Sequence, residues 1–269
     1  MADERESANE RMTYECIDVQ ISGRVTRVTM NRPDQMNSIN PAMHHELQSA
    51  FDEFADDDSQ FLCVLTGAGA RAFCAGSDLK ADWSSFSYPE NGYAGLIERF
   101  DLNKPIIAAV NGACMGGGFE MALACDLIIA ADCASFALPE PRVGAIALAG
   151  GIHRLTRQLP LKRAMGFLLT GSTFSAEDAY TLGLVNEVAP SNLLDVVVER
   201  WCEEILKCAP MSVRATKEAA MRGIGEGSVE AALQAQANYP AYRAWIGADD
   251  NREGVRAFAE KRDPVWKGR

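Results

Sequence analysis

Two glutamates stand in sequence contexts that suit proton transfer. Glu120 follows three consecutive glycines at residues 116–118, and Glu140 ends the segment Phe-Ala-Leu-Pro-Glu at residues 136–140. Two carboxylates can divide proton transfer between them, one giving a proton and one taking it, if the fold brings them together. Consecutive glycines let backbone N–H groups approach a ligand closely at the start of a helix. These residues predict an enzyme that makes and breaks a C–H bond beside a polarised carbonyl.

Length and composition narrow the class of protein. The 269 residues suffice for one large domain or two small ones, and 48% hydrophobic residues is an ordinary globular value. No apolar stretch reaches the roughly eighteen residues that a membrane helix needs. Residues 1–15 are polar and mostly acidic, without the basic and apolar regions of a secretion signal. The eight cysteines form no C-x-x-C pair. We therefore expect a cytoplasmic protein with reduced thiols.

The charge and histidine content argue against several kinds of partner. A formal net charge of -11 disfavours non-specific binding to nucleic acid. Only three histidines are present, and they give no zinc-binding spacing, so no metal site is expected. Positive charge gathers in the C-terminal tail, at Arg252, Arg256, Lys261, Arg262, Lys267 and Arg269. These side chains either form a solvated helix face or bind the phosphates of a small molecule.

The hydrophobic patterns predict an α/β arrangement that becomes helical towards the C-terminus. Residues 14–22 and 25–30 alternate like a hairpin, and Asn40-Pro41 is typical of a helix start. Apolar runs at 61–66, 105–110 and 126–131 predict buried parallel strands, with a helix at 117–125 between the last two. Ser175 begins a capping pattern, and residues 184–188 predict a last strand. Helices are expected at about 192–208 and 212–224, so we divide the chain into a core at 1–200 and a helical region at 201–269.

Several segments together resemble the enoyl-CoA hydratase/isomerase (crotonase) family. They are VNGACMGGGFE at residues 110–120, AFCAGSDLK at 72–80 and FALPE at 136–140. Their order and spacing are those of the family over about residues 21–267. Within the family, residues 135–140 and 257–269 are most similar to the carnitinyl-CoA dehydratase branch. The resemblance implies an α/β fold with a ββα spiral core and a helical C-terminal trimerisation region, and hence a homotrimer or homohexamer.

The resemblance also implies a set of site residues. Backbone N–H groups of Ser77 and Gly117 are expected to form an oxyanion hole for a thioester enolate. Glu140 is expected to give a proton to the α-carbon, and Glu120 to activate the water. In the family, residues at these positions bind an acyl-CoA substrate and need no metal, flavin or other cofactor.

The positions that match the CoA-binding residues of the family lie in two parts of the chain. Ala75, Asp78 and Leu79 match the segment whose backbone meets the adenine. Phe258 and Lys261 match the pair that reaches the nucleotide end of CoA, often from a neighbouring subunit. Lys261 is therefore expected to act as a point charge towards phosphate.

Two segments depart from the family pattern. Ala147-Leu148 replaces a Pro-Gly pair whose N–H helps to hold the water, so the Leu148 N–H is the candidate for that task. Residues 81–93 carry aromatic side chains that form an aromatic wall, a cage for a cation such as trimethylammonium, or plain packing. These four residues are Trp83, Phe86, Tyr88 and Tyr93.

Three functions remain open at this point. The leading hypothesis is a hydro-lyase that adds water to a 2-enoyl-CoA, with carnitinyl-CoA dehydratase as one form of it. An enoyl-CoA delta-isomerase typically needs only the glutamate at position 140. A non-catalytic binding protein on the same fold is disfavoured by the intact pair Glu120 and Glu140 and by the acidic charge.

Overall fold

The computed structural model of the protein describes residues 14–269, in which ten strands form two sheets. The strands are β1 (Ile17–Ser22), β2 (Val25–Met30), β3 (Leu62–Gly67), β4 (Ala72–Cys74), β5 (Ile106–Val110), β6 (Ala113–Met115), β7 (Leu127–Ala131), β8 (Ser135–Ala137), β9 (Phe174–Ser175) and β10 (Glu187–Ala189). The larger sheet has the order β1-β2-β3-β5-β7-β10, and the smaller has the order β4-β6-β8-β9.

The larger sheet is parallel apart from its first pair of strands. β1 and β2 form the predicted antiparallel hairpin, and the turn between them uses Gly23 at a φ of +59°. β2, β3, β5, β7 and β10 then pair in parallel. Nearly all side chains of β3, β5 and β7 are buried, which is why these strands read as continuous apolar runs. The three buried strands are confirmed, but the last strand begins at Glu187 and is shorter than predicted.

Ten α-helices cover this sheet pair and form the C-terminal part of residues 14–269. They are α1 (Pro41–Asp56), α2 (Gly117–Ala124), α3 (Gly151–Gln158), α4 (Leu161–Thr170), α5 (Ala176–Thr181), α6 (Leu194–Leu206), α7 (Pro210–Gly223), α8 (Val229–Ala235), α9 (Pro240–Gly247) and α10 (Asp249–Glu260). The α/β class expected from the sequence is confirmed.

Two helix starts follow the predicted capping chemistry. The Asn40 side chain accepts a hydrogen bond from the Met43 N–H at 2.9 Å, with Pro41 as the first helical residue of α1. Ser175 and Asp178 form a reciprocal capping box at the start of α5. Each cap satisfies N–H groups that would otherwise lack a partner, and so fixes where the chain enters the helix.

The main core lies under the inner face of the larger sheet and contains α1, α2 and the smaller sheet. Its largest fully buried side chains include Phe51, Phe73, Phe119 and Phe136. The other face of the sheet packs against α6 through residues such as Val64 and Val198. α6 continues across residue 200, and the division at that residue stays a prediction. No helix within residues 14–269 is long and apolar enough to span a membrane.

Candidate active site

The three glycines at residues 116–118 are required by close contacts at the start of α2. Gly116 precedes the helix at a φ of +54°, a left-handed conformation that favours glycine. A Cβ at Gly118 would lie 2.3 Å from the Cys74 carbonyl oxygen. A Cβ at Gly76 would likewise lie 3.2 Å from the Gly117 nitrogen. The motif therefore brings the backbone after β4 against the N-terminus of α2.

This approach places the two predicted oxyanion-hole N–H groups in neighbouring segments. The backbone N–H groups of Ser77 and Gly117 make no hydrogen bond with any acceptor in the described part of the chain. Gly117 is the first residue of α2, where N–H groups have no partner within the helix and the dipole favours negative charge. The pair is thus available to a ligand oxygen, and its role stays a prediction.

Glu120 lies in the first turn of α2, and its side chain is buried. The residue is 3% exposed, and its Oε1 accepts a hydrogen bond from the Gly151 N–H at 2.8 Å. Burial, helped by the nearby charge of Glu140, raises the pKa of Glu120 to about 7, although the hydrogen bond from the Gly151 N–H acts to lower it. A surface position for this glutamate is excluded. Its pKa lies near neutrality, where a group can both accept and return a proton.

Glu140 begins a short 3-10 helix, Glu140–Val143, directly after β8 and the residues Leu138 and Pro139. The Glu140 Oε1 packs on Gly116, since a Cβ added at Gly116 would lie 3.0 Å from this oxygen. Its Oε2 is buried without a hydrogen-bond partner among residues 14–269. Burial raises the pKa of Glu140 as well. An unpaired buried carboxylate oxygen is costly in a fold, and it is available for proton transfer.

The structure therefore brings together four of the predicted site residues. Glu140 contacts Gly116, and Glu120 lies one helical turn further along the same helix. Ser77 and Gly117 flank the same helix start. The arrangement can hold a negatively charged oxygen at the N–H groups while the carboxylates exchange protons with neighbouring atoms.

The predicted CoA-binding residues fall in two separate places. Ala75, Asp78 and Leu79 follow β4, and Asp78 makes an ion pair with Arg32 at 2.9 Å. The Leu79 side chain is 85% exposed. The Asp78 N–H donates to Ile39, so its backbone amide is already in use.

Phe258 and Lys261 lie at the C-terminal end of α10. Phe258 is 88% exposed, and Lys261 follows the helix in a left-handed conformation with a φ of +54°. α10 packs against α7 and α9. No hydrogen bond or ion pair among residues 14–269 joins this pair to the segment at 75–79, and its role in CoA binding stays a prediction.

The Leu148 N–H, the candidate for holding the water, already has a hydrogen-bond partner within the chain. It donates a hydrogen bond to the Ile146 carbonyl oxygen at 2.9 Å, and the Leu148 side chain is 80% exposed. An N–H that is already paired is a poor partner for a water molecule. The neighbouring glycine at 151 takes part in the site instead, through its hydrogen bond to Glu120.

The four aromatic residues of the segment 81–93 cluster around His44. Their ring centroids lie 4.6 to 5.8 Å from the imidazole, and three of the four contacts are edge-to-face. His44 is fully buried, and burial lowers its pKa to about 4. The cluster is therefore filled by a neutral side chain of the protein, which favours packing over an open cation cage. The residues are Trp83, Phe86, Tyr88 and Tyr93.

Sequence reasoning missed Gly151 and His44 as parts of this region. Gly151 is the first residue of α3, so its N–H has no partner within the helix and donates to Glu120 instead. The Gly-Gly pair at 150–151 is the sequence feature that could have indicated this contact. His44 sits on the buried face of α1, where spacing alone cannot distinguish it from a core residue. Arg154 was missed as well. Its positive charge lowers the pKa of Glu120, and its Nη2 donates a hydrogen bond to the Ile97 carbonyl oxygen at 2.5 Å.

Comparison with known proteins assigns the family. A family model described as enoyl-CoA hydratase/isomerase matches residues 20–269. The chain belongs to this family. The membership agrees with the resemblance carried by the segments at 72–80, 110–120 and 136–140.

Similar curated proteins include several carnitinyl-CoA dehydratases. The chain is 41% identical over 253 residues to the carnitinyl-CoA dehydratase of Proteus mirabilis (strain HI4320), covering 92% of this chain and 96% of that protein. It is 42% identical over 254 residues to the carnitinyl-CoA dehydratase of Salmonella arizonae, with the same shares covered.

Similar solved structures carry the name enoyl-CoA hydratase. The enzyme from Mycobacterium tuberculosis H37Rv superposes with a TM-score of 0.87 at 36% identity, covering 94% of this chain and 99% of that one. The enzyme from Bacillus anthracis gives a TM-score of 0.86 at 36% identity, covering 95% and 100%. The crotonase-like fold expected from the sequence is thus confirmed.

Proposed function

We propose that the protein is an acyl-CoA hydro-lyase that reversibly adds water across the double bond of a 2-enoyl-CoA. The observation that carries this proposal is the meeting of Glu120 and Glu140 at the N-terminus of α2. Burial raises the pKa of both carboxyl groups, and two unpaired N–H groups lie beside them. The family and the similar dehydratases and hydratases support a hydro-lyase that acts on CoA thioesters.

The proposed reaction uses the two carboxyl groups on one water molecule. Ionised Glu120 takes a proton from the water as the oxygen adds to the β-carbon, and protonated Glu140 gives a proton to the α-carbon. The charge that develops on the thioester oxygen is held by the N–H groups of Ser77 and Gly117. One such donor stabilises a transition state by ~2.7–4 kcal/mol in other enzymes. Because the two carboxyl groups interact, they titrate as a pair.

A carnitinyl-CoA dehydratase is the second candidate, and the curated relatives favour it. Proteins of that name are 39 to 42% identical to this chain, whereas the solved structures named as enoyl-CoA hydratases or hydratase/isomerases are 32 to 37% identical to it. Removal of water from carnitinyl-CoA is the reverse of the same reaction, on a substrate that carries a trimethylammonium group. An isomerase is less well supported, because buried Glu120 would then have no task.

We propose that CoA binding is completed by a second copy of the chain. Phe258 is 88% exposed on α10, a helix that packs against α7 and α9. A homotrimer or homohexamer would bring the Phe258 and Lys261 pair of one subunit to the Ala75, Asp78 and Leu79 segment of another. Sedimentation analysis of the purified protein tests this assembly, and a monomer that binds acyl-CoA with full affinity would contradict it.

Activity on two substrates tests the proposed function. The purified protein is given crotonyl-CoA and crotonobetainyl-CoA in parallel, and loss of the enoyl thioester absorbance is followed. Faster hydration of crotonyl-CoA supports a general hydratase, whereas turnover of crotonobetainyl-CoA alone supports the dehydratase. A folded protein that hydrates neither substrate contradicts the hydro-lyase proposal.

A further inference from the structure

Tyr93 reaches between the two segments that carry the predicted oxyanion hole. Its hydroxyl oxygen lies 3.1 Å from Ser77 Oγ. It also packs on Gly117, because a Cβ there would lie only 2.2 Å from Tyr93 Oη. The missing side chain at 117 thus provides the space that the tyrosine hydroxyl uses. Tyr93 is 6% exposed, so this polar end is held inside the protein.

His44 holds the backbone beside Tyr93. Its Nδ1 accepts a hydrogen bond from the Ala94 N–H at 2.8 Å, so the proton of the neutral imidazole is on Nε2. The imidazole also packs edge-to-face on the Tyr93 ring, with 4.6 Å between centroids. The tyrosine is therefore fixed through both its ring and the next peptide group.

The chain around Tyr93 adopts an unusual conformation. Gly92, Ala94 and Gly95 all have positive φ angles, of 72°, 57° and 61°. Non-glycine residues such as Ala94 rarely occupy this region, and such strain tends to occur at functional sites. Gly95 packs directly on α1, since a Cβ there would lie 2.4 Å from the Gln48 Cα. The conformation is thus imposed by packing that places the Tyr93 hydroxyl at Ser77.

We propose that Tyr93 is a further catalytic residue whose hydroxyl donates a hydrogen bond to the thioester oxygen of the substrate, beside the N–H groups of Ser77 and Gly117. This inference rests on the proposed function. The hydroxyl can accept a hydrogen bond from Ser77 Oγ while it donates to the substrate, so no proton is transferred. Burial raises the pKa of Tyr93 well above its ordinary value, which keeps the hydroxyl protonated as a donor.

The test replaces only the hydroxyl. Tyr93→Phe keeps the ring on His44, and Tyr239→Phe is the matched control, because Tyr239 is 8% exposed and its hydroxyl has no partner among the described residues. Loss of one oxyanion donor lowers kcat by about 10²–10³-fold in another enzyme. For Tyr93→Phe we expect a kcat at least ~10-fold lower with a small change in KM. The control is expected to keep the kcat of the wild-type protein.

A spectroscopic readout separates polarisation from packing. A chromophoric arylacryloyl-CoA absorbs at longer wavelength when its thioester carbonyl is polarised, and this red shift is expected to shrink in Tyr93→Phe but not in Tyr239→Phe. If Tyr93→Phe does not fold, His44→Phe is used to release the Ala94 N–H, and it is expected to lower kcat and the red shift. His44→Asn, which keeps an acceptor for that N–H, is expected to restore part of both.

The outcomes distinguish this inference from the proposed function. Wild-type hydration with an unchanged kcat and red shift in Tyr93→Phe overturns the role of Tyr93 and leaves the hydro-lyase proposal standing. A wild-type protein that shifts the chromophore but hydrates no enoyl-CoA overturns the proposed function, and the Tyr93→Phe spectrum still decides whether the hydroxyl meets the thioester. A wild-type protein that neither shifts the chromophore nor hydrates an enoyl-CoA overturns both the proposed function and the role of Tyr93.

Discussion

Replacing Glu120 with glutamine is expected to stabilise the protein at alkaline pH while it removes a catalytic group. The glutamine is nearly isosteric, and its Oε1 can still accept the hydrogen bond from the Gly151 N–H. What changes is the charge, which wild-type Glu120 must carry inside the protein above its folded-state pKa of about 7. In the unfolded chain the same carboxyl group ionises in water near 4.5.

The size of the effect follows from the pKa difference. A rise from 4.5 to about 7, at about 1.4 kcal/mol per pKa unit, makes the ionised folded state less stable by ~3 kcal/mol. Because the folded-state pKa is the higher one, the folded protein binds the proton more tightly. This contribution to stability is present below pH 4.5 and is lost as the pH rises through about 7. Glu120→Gln has no such loss, so its advantage should grow from less than ~1 kcal/mol at pH 5 to ~3 kcal/mol at pH 9.

Urea unfolding at pH 5, 7 and 9 measures this difference, at one fixed protomer concentration because assembly adds to apparent stability. Glu203→Gln is the control, since Glu203 is an exposed residue in the last turn of α6 and its replacement removes a carboxyl group from the surface instead of from the interior. A Glu120→Gln advantage that does not change between pH 5 and pH 9 would refute the reasoning that burial sets the pKa of Glu120.

Two further changes test the positioning of the site and the binding of CoA. Gly151→Ala places a Cβ 2.9 Å from Glu120 Oε1, so it should push the carboxylate out of place and lower kcat by ~10-fold or more, since small misplacements of a reacting group are costly. Thermal unfolding should change little, because the group that moves is the end of a side chain; an unchanged kcat would contradict the predicted role of the Gly151 contact. Lys261→Ala removes a point charge, and the loss of about 1 kcal/mol of attraction to the CoA phosphates should raise KM for acyl-CoA several-fold at unchanged kcat. Lys267→Ala in the same tail serves as its control, and an equal effect of both variants would count against a specific contact by Lys261.

Much of the fold could be predicted because its signals are local. The hairpin at 17–30, the cap at Asn40 and the capping box at Ser175 each depend on residues within a few positions of one another. The strand expected at 184–188 was displaced because Leu184 and Val185 instead pack in the core, and pairing with β7 begins only at Glu187.

The site was less predictable because its contacts join distant parts of the chain. The hydrogen bond from Gly151 to Glu120 spans 31 positions, and that from Ala94 to His44 spans 50. No short sequence pattern predicts a contact between residues so far apart in the chain. Residue context singled out the two glutamates, and family resemblance added the two N–H groups. Tyr93 was noted only as one of four aromatic residues, because its position beside Ser77 depends on the left-handed residues that flank it.

The central claim is that Glu120 and Glu140 act as one catalytic unit. The most direct measurement is kcat for hydration of whichever proposed substrate, crotonyl-CoA or crotonobetainyl-CoA, the wild-type protein turns over faster. It is made on Glu120→Gln, Glu140→Gln and the double variant, with Glu203→Gln as control. Each single variant should lose about 10²-fold or more, and the double variant little beyond that, because groups that act as a unit have non-additive effects. Full activity in either single variant, or losses that multiply in the double variant, would contradict the claim.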